Sequence, residues 1–323
     1  MKHLFISDPQ ILDEHPAAQH WKQLVGKSSQ PSSIDKLTGK SNEKAIYRLN
    51  GVGKGGAPVI AKRAHRRGIF VEQMVYEKIL PQVPVHHLYY YGLTEEEHTD
   101  FCWLFIEEAV GIPYSESDAV HRALASQWLG VMHATTARLN LSAVLPSVTP
   151  KRYLSDLDQA RVIISKHLSH PALVSKYLHL LRGIINHFDI IKKHWDEVEN
   201  FCATIPPCLV HCDFYKENIR VRIHDTRQEL NVIDWELSGW GVPAEDIGGL
   251  DIDVYGSFAN DSGLSLTHQS LQRICTLGLV FRYLACIAMV SPGISQDWEE
   301  DAVQQLTFYE NELCRLVQSL GWL

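Results

Sequence analysis

The sequence is short of the features that mark nucleic-acid-binding, secreted or membrane-spanning proteins. Positive charge is scarce: 30 Lys and Arg stand against 38 Asp and Glu, for a net charge of −8. No basic stripe is present, which argues against a protein that lives on the phosphates of DNA or RNA. The acidic balance suits a cationic small substrate, but it serves solubility equally well. No two cysteines form a C-x-x-C pair. The seven, at 102, 202, 208, 212, 275, 286 and 314, are odd in number and several sit inside apolar runs. That pattern points to reduced thiols in a cytoplasmic protein, not to a disulfide framework or a zinc centre. The opening residues, Met1 to Asp8, hold no apolar core of the length a secretory leader needs. The longest hydrophobic run, Cys275 to Val290, is interrupted by Arg282 and is too short to span a bilayer, so it reads as a buried helix. Internal repeats and low-complexity segments are also missing.

What is present is ordinary for a globular chain: 45% hydrophobic and 21% charged residues. At roughly 150 residues per domain, 323 residues suit two lobes. Asp13 to Lys27 carries Ala17, Ala18, Trp21, Leu24 and Val25 at helical spacing, and a polar joint follows at 28–33. Ala45 to Leu49 and Pro58 to Lys62 read as strands, joined by a glycine-rich surface hairpin at 50–56. A helix over Gly68 to Leu80 is stopped by Pro81 and Pro84. Two further strands lie around His87–Leu93 and Phe101–Glu107. Past Gly111-Ile112-Pro113 the pattern turns helical, over Ser117–Leu139, Leu154–Leu168, Pro171 to about Ala203, Ser265–Val290 and Trp298–Leu320. The expected fold class is α+β with two lobes. Residues 1–33 form a partly helical N-terminal extension, 34–108 a small β-rich lobe, and 109–323 a larger, mainly helical lobe.

One stretch carries the chemistry. Val210-His211-Cys212-Asp213 ends an apolar run in an acid, Asn218 follows five residues on, and Asn231-Val232-Ile233-Asp234 ends a second run in another acid. Each residue taken singly is as well explained by a loop or a hairpin end. Together, H-x-D-x-x-x-x-N followed by an apolar run and Asp gathers oxygen donors suited to a hard cation such as Mg²⁺. Phosphoryl transfer, which needs mainly positioning and charge neutralisation, is the chemistry such a set serves.

This stretch, with Val232-Ile233-Asp234-Trp235-Glu236 and the later Pro243-Ala244-Glu245-Asp246-Ile247, resembles the signature of the aminoglycoside phosphotransferase and choline kinase-like family, small-molecule relatives of protein kinases. The resemblance extends over nearly the whole chain after residue 35. It implies a protein-kinase-like two-lobe fold and a kinase that uses ATP or GTP with Mg²⁺ to phosphorylate a hydroxyl of a small molecule. It also implies roles. Asp213 would be the catalytic Asp at the acceptor hydroxyl, Asn218 and Asp234 would hold the metal, His211 would be structural, and Asp246 would brace the loop. Lys62 would contact the nucleotide phosphates and be held by Glu72, with Glu77 as the competing acid. The turn Leu37-Thr38-Gly39-Lys40-Ser41-Asn42 resembles the nucleotide loop, making Gly39, Ser41 and Asn42 candidate phosphate contacts, although it has a single glycine. Leu104 to Gly111 looks like the hinge, where the Glu107 carbonyl and the Ala109 amide would read the base.

Two departures stand out. Cys212 replaces the usual glycine between His and Asp, where a side chain could crowd the loop and a thiol could be oxidation-sensitive. Asp234 is followed by Trp-Glu and no Ala-Pro-Glu segment is present, which argues against a protein kinase switched by loop phosphorylation. A nucleotide-binding pseudokinase is the other alternative. The acceptor is not named by the sequence: Asp251, Asp253 and Asp261 suit a cation or open solvent equally, and aromatic residues of the helical lobe suit a cation cage or the core. His133 reads as a satisfied core histidine. The remaining expectations are a monomer or homodimer with no membrane and no nucleic-acid partner.

Overall fold

The computed structural model describes residues 5–26, 29–38, 44–168, 175–225, 227–295 and 300–323. The chain divides into two compact units that do not follow chain order. The first takes in Met1–Trp128, Ala143–Pro146 and Asp213–Ser238, and the second takes in Leu129–Ser142, Ser147–Cys212 and Gly239–Leu323.

The first unit is built on an antiparallel sheet of β1 (Phe5–Ile6), β2 (Ser33–Thr38), β3 (Ala45–Asn50), β4 (Val59–His65), β5 (Tyr90–Glu95) and β6 (Phe101–Glu107), in the order β1-β2-β3-β4-β6-β5. Side chains alternate across a strand, and β4 uses both faces. Val59 and Ala61 join Ile34, Leu49, Trp103 and Phe105 in an apolar core. Ile60 and Lys62 point the other way, towards a cavity described below. The core is closed by two N-terminal helices, α1 (Pro9–Glu14) and α2 (Pro16–Val25), with Ala17, Ala18 and Trp21 fully buried. Residues 5–26 and 29–33 are thus built into this unit, through β1 paired to β2 and through α2. The single helix expected over Asp13 to Lys27 is two. Pro16 has no N–H to continue the first helix and is well placed to open the second, where His15 caps Ala17.

The turn between β3 and β4 lies at the surface, with Gly55 and Gly56 at φ 66° and 81°, a backbone that side chains resist. Helix α3 (Arg66–Met74) runs on through a wide π turn at Val75–Ile79 into a 3-10 turn at Leu80–Gln82, so Pro81 falls in the terminal turn. The hairpin Ile219–His224/Arg227–Val232 belongs to the same unit and is flanked by Ile112–Pro113. A Cβ at Gly111 would lie 2.5 Å from the Val221 carbonyl oxygen, so only glycine allows that edge to close.

The second unit is helical. Helices Pro150–His167, Ser175–Lys193, Trp195–Cys202, Ala244–Ile247, Ile252–Asp261, His268–Val290 and Glu300–Ser319 surround a small sheet of Ser147–Val148, Gly239–Gly241 and Cys208–Val210. Helix His268–Val290 packs on four of the others and buries Leu271, Ile274, Leu277, Phe281, Leu284 and Ile287. The sequence reading made this run too short for a membrane. Its helical stretch, His268–Ile294, is in fact long and apolar enough to cross one by length and composition, because the helix starts earlier than the apolar run and continues past Arg282. Its neighbours in this unit account for the apolar face as core.

Candidate functional site

Lys62 sits on the central strand β4, paired to Ile46 on one side and Leu104 on the other, and is 5% exposed. A lysine that deep needs partners. Its ammonium donates to Glu72 of α3 and to Asp234, and lies 3.0 Å from Glu236 Oε2. Lys44, just before β3, adds a second ammonium 3.0 Å from Glu236 and 3.3 Å from Asp234. The helix can approach because Gly68 lies against Glu236, where even a Cβ would come within 3.1 Å. Glu77, the rival of Glu72, is at the surface and pairs with Lys78.

The electrostatics follow from two cations among three carboxylates. Burial alone would lower the Lys62 pKa, but Glu72, Asp234 and Glu236 reverse this and hold it above its ordinary value. Burial raises Glu72, aided by Asp234 and Glu236 and opposed by Lys62. Burial also acts to raise Asp234, but Lys62 and Lys44 outweigh it and leave that carboxyl below the usual range.

Asp234 adopts a left-handed backbone, φ 67° and ψ 62°, at the head of a 3-10 turn over Trp235–Leu237. That conformation costs an L-residue roughly 1–2 kcal/mol, and the two lysines and the buried Trp235 hold it. The indole of Trp128 organises both acidic positions. It lies 6.2 Å from the ring of Phe214, which follows Asp213, and 6.1 Å from the ring of Trp235, which follows Asp234. Trp128 is fixed in turn by an indole hydrogen bond to the His86 carbonyl, 3.2 Å.

Asn218 closes the loop that begins at Asp213. Its amide nitrogen donates to the Asp213 carboxylate at 2.8 Å and to the Asp213 carbonyl at 3.0 Å. Its main-chain carbonyl accepts from Ile233 N–H at 3.0 Å, tying the loop to the strand end that carries Asp234. A carboxylate can only accept, so the amide must present nitrogen to Asp213, which leaves its side-chain oxygen for another ligand.

Lys62, Glu72, Asn218 and Asp234 line one cavity of about 450 Å³. Leu37, Ile46, Ile60, Ile106 and Ile233 supply apolar wall, and Glu217 and Arg220 add charged groups. Glu107, Glu108 and Ala109 form its far edge, where the Glu107 amide bonds to Tyr89 O and Glu108 pairs with Arg48. Gly39, Ser41 and Asn42 lie outside the described residues. Lys44 and Glu236 were given no role from sequence. Glu236 was in view within Asp-Trp-Glu, whereas nothing in the polar stretch before β3 marked Lys44.

In the second unit, the segment leading to Asp213 is braced by Asp246, which is fully buried. Its carboxylate accepts His211 N–H at 2.7 Å and Cys212 N–H at 2.9 Å, and lies 3.2 Å from His133 Nε2. Burial acts to raise its pKa, and these donors bring it below the ordinary value. Cys212 has φ 62°, which explains the glycine usual at this place: the backbone is left-handed. The expectation of an oxidation-sensitive thiol is corrected. Cys212 is 3% exposed, and burial, with Glu245 and Asp246 nearby, raises its pKa well above the ordinary value, which disfavours the reactive thiolate. Next to Asp246, Glu245 accepts from the Tyr153 hydroxyl at 2.5 Å, and burial pushes its pKa up to about 7. Asp251 caps its helix through Val254 N–H and Asp253 lies 3.2 Å from His268. Tyr283, Phe308 and Tyr309 pack edge-on or tilted against one another, with centroids 5.7–5.9 Å apart.

The sequence profile of the phosphotransferase enzyme family matches residues 47–258, about two thirds of the chain. The chain therefore belongs to that family and is an enzyme of its class, a small-molecule kinase. No curated protein sequence matches it significantly. Solved structures with the same fold include the streptomycin–ATP complex of APH(2″)-IIa (14% identity, TM-score 0.59, 93% of this chain and 98% of that one). A second is the GDP complex of aminoglycoside 2′-phosphotransferase-IIIa (14%, 0.64, 91% and 98%). A third is choline kinase from Cryptosporidium parvum Iowa II (13%, 0.59, 97% and 96%). The fold is accordingly the two-lobe kinase-like one, with an N-terminal antiparallel sheet and a larger helical part.

Proposed function

We propose that the chain transfers the γ-phosphoryl group of ATP or GTP to a hydroxyl of a small molecule in a Mg²⁺-dependent reaction. The observation that carries this reading is Lys62, buried and bonded to Glu72 and Asp234, in the cavity that Asn218 also lines. The apolar walls suit a purine, and the edge at Glu107–Ala109 offers main-chain groups to its polar rim. Lys62 would contact the phosphates, with Glu72 holding its charge and direction. Asp213, oriented by Asn218, would receive the acceptor hydroxyl and take its proton. The nucleotides named in two of the solved complexes support nucleotide use here.

The residues fit a hard cation. Glu72, Asp234 and Glu236 bring carboxylate oxygens within 4.8 Å of one another, and Asn218 has an amide oxygen to spare. Asn218 and Asp234 would hold Mg²⁺, with Glu236 beside them. Such an ion, when bound, supplies charge neutralisation at the phosphates. Lys44 and Lys62 offset the same carboxylates in this structure and would turn to phosphate oxygens instead.

Nucleotide binding is assigned to residues 34–108 together with the 213–238 segment, and acceptor binding to the helical part. Candidate acceptors are aminoglycosides, amino alcohols and sugars, in the cytoplasm. The test is calorimetric titration of ATP and GTP with and without Mg²⁺, followed by a coupled ADP-release screen over those three acceptor classes. Mg²⁺-dependent binding and release stimulated by one class are expected. Absence of nucleotide binding would overturn the reading.

A further inference from the structure

Helix Ala119–Thr136 holds the segment before Asp213 at two successive turns. Thr136 Oγ1 accepts from Leu209 N–H at 3.1 Å, fixing the strand Cys208–Val210. One turn earlier, His133 reaches Asp246, which in turn fixes His211 and Cys212. The other ring nitrogen of His133 lies 3.1 Å from the hydroxyl of Tyr255 on helix Ile252–Asp261. His133 and Tyr255 are fully buried and Asp246 is 1% exposed. The two helices come this close because residue 130 is glycine: a Cβ there would lie 2.8 Å from the Tyr255 carbonyl oxygen.

The donors and acceptors are determined by chemistry. An ionised Asp246 can only accept, so His133 must carry a proton on Nε2. Of the two neutral tautomers, the one that fits Asp246 accepts at Nδ1, where the Tyr255 hydroxyl can donate. Asp246 selects this tautomer from the Nε2 side, and the Tyr255 hydroxyl supports it from the Nδ1 side. The opposite tautomer would point a lone pair at the Asp246 carboxylate.

We propose that His133 and Tyr255 are positioning residues for the loop that carries Asp213: Tyr255 holds the His133 ring through Nδ1, His133 holds Asp246, and Asp246 holds the amides of His211 and Cys212. The consequence for turnover rests on the reading of Asp213 given above. The order of the chain, hydroxyl to imidazole to carboxylate to two main-chain amides, gives each link a distinct substitution.

The test uses full-length wild type, Tyr255→Phe, His133→Leu and His133→Gln. Turnover is followed by ADP release from MgATP with water as acceptor. ATP affinity is measured by calorimetry, and amide exchange of the peptide spanning 208–215 by mass spectrometry. Tyr255→Phe and His133→Leu should lower kcat by about tenfold or more, leave the ATP Kd within about twofold, and speed exchange in that peptide. His133→Gln, which keeps a donor towards Asp246, should recover much of both. If His133→Leu does not fold, Tyr255→Phe and His133→Gln decide. Wild-type kcat and wild-type exchange in Tyr255→Phe, or a loss confined to ATP affinity, would overturn the proposal. If wild type releases no ADP with water or with any acceptor class of the screen above, the phosphotransfer reading fails while the exchange data still decide whether His133 and Tyr255 hold the loop.

Discussion

Asn218 presents its amide nitrogen to the Asp213 carboxylate at 2.8 Å and to the Asp213 carbonyl at 3.0 Å. One side chain therefore orients the acid and, by fixing its own rotation, aims its oxygen elsewhere. Asn218→Ala removes both effects. Turnover should fall about ten- to a hundredfold, and the Mg²⁺ concentration needed for half-maximal rate should rise. A Mg²⁺ titration of the rate checks this. An unchanged midpoint would remove Asn218 from the metal site.

Lys62 and Glu72 should behave as a unit. Lys62→Met leaves Glu72 buried beside Asp234 and Glu236 with its main counter-charge gone, and breaking a buried pair this way costs about 3–5 kcal/mol. Adding Glu72→Gln removes the stranded carboxylate. The double variant should regain part of the lost stability in urea unfolding, while nucleotide binding stays lost.

Cys212 should resist modification. Alkylation followed by peptide mass mapping should label it only after unfolding, because it is 3% exposed and its pKa is raised. Cys212→Gly relieves a left-handed residue but leaves a small void and a more flexible unfolded chain, so stability should change by no more than about 1 kcal/mol. Turnover should be kept.

Glu245 gives stability a pH dependence. Its folded pKa, about 7, is raised by burial above an ordinary value of 4.5. Between those pH values the unfolded chain releases this proton first, so stability falls as pH rises through the window and the loss is complete above about 7. The loss is on the order of 3 kcal/mol. Glu245→Gln keeps an oxygen for the Tyr153 hydroxyl and removes the titration. Its Tm should exceed wild type at pH 8 and approach it near pH 5. Parallel pH profiles for the two proteins would contradict this.

Much of the site was legible because its residues follow simple strand and turn spacing. Asp213, Asn218 and Asp234 stand at two strand ends and one tight loop, so their convergence could be read from position. Lys62 and Glu72 meet because a lysine facing inward from a strand and a helix acid ten residues later have few other partners. What was not legible depends on packing across distant parts of the chain. Trp128 stacks on Phe214 and Trp235 from a helix about a hundred residues away. Lys44 finds Asp234 and Glu236 nearly two hundred residues on. Helix α2 buries Trp21 in the core of the sheet, a contact that helical spacing alone does not reveal. Cys212 adjoins Asp213 in sequence, which suggested a thiol open to oxidation near the site, whereas it is 3% exposed.

The most direct measurement is phosphorus NMR with mass spectrometry on the product formed from MgATP or MgGTP and the acceptor that best stimulates nucleotide turnover, with wild type and Asp213→Asn side by side. Wild type should yield a phosphate monoester of the acceptor, one phosphoryl group heavier. Asp213→Asn should bind nucleotide normally and form product about 10²–10⁴-fold more slowly. Full product formation by Asp213→Asn, or nucleotide hydrolysis with no phosphorylated acceptor from wild type, would contradict the assignment.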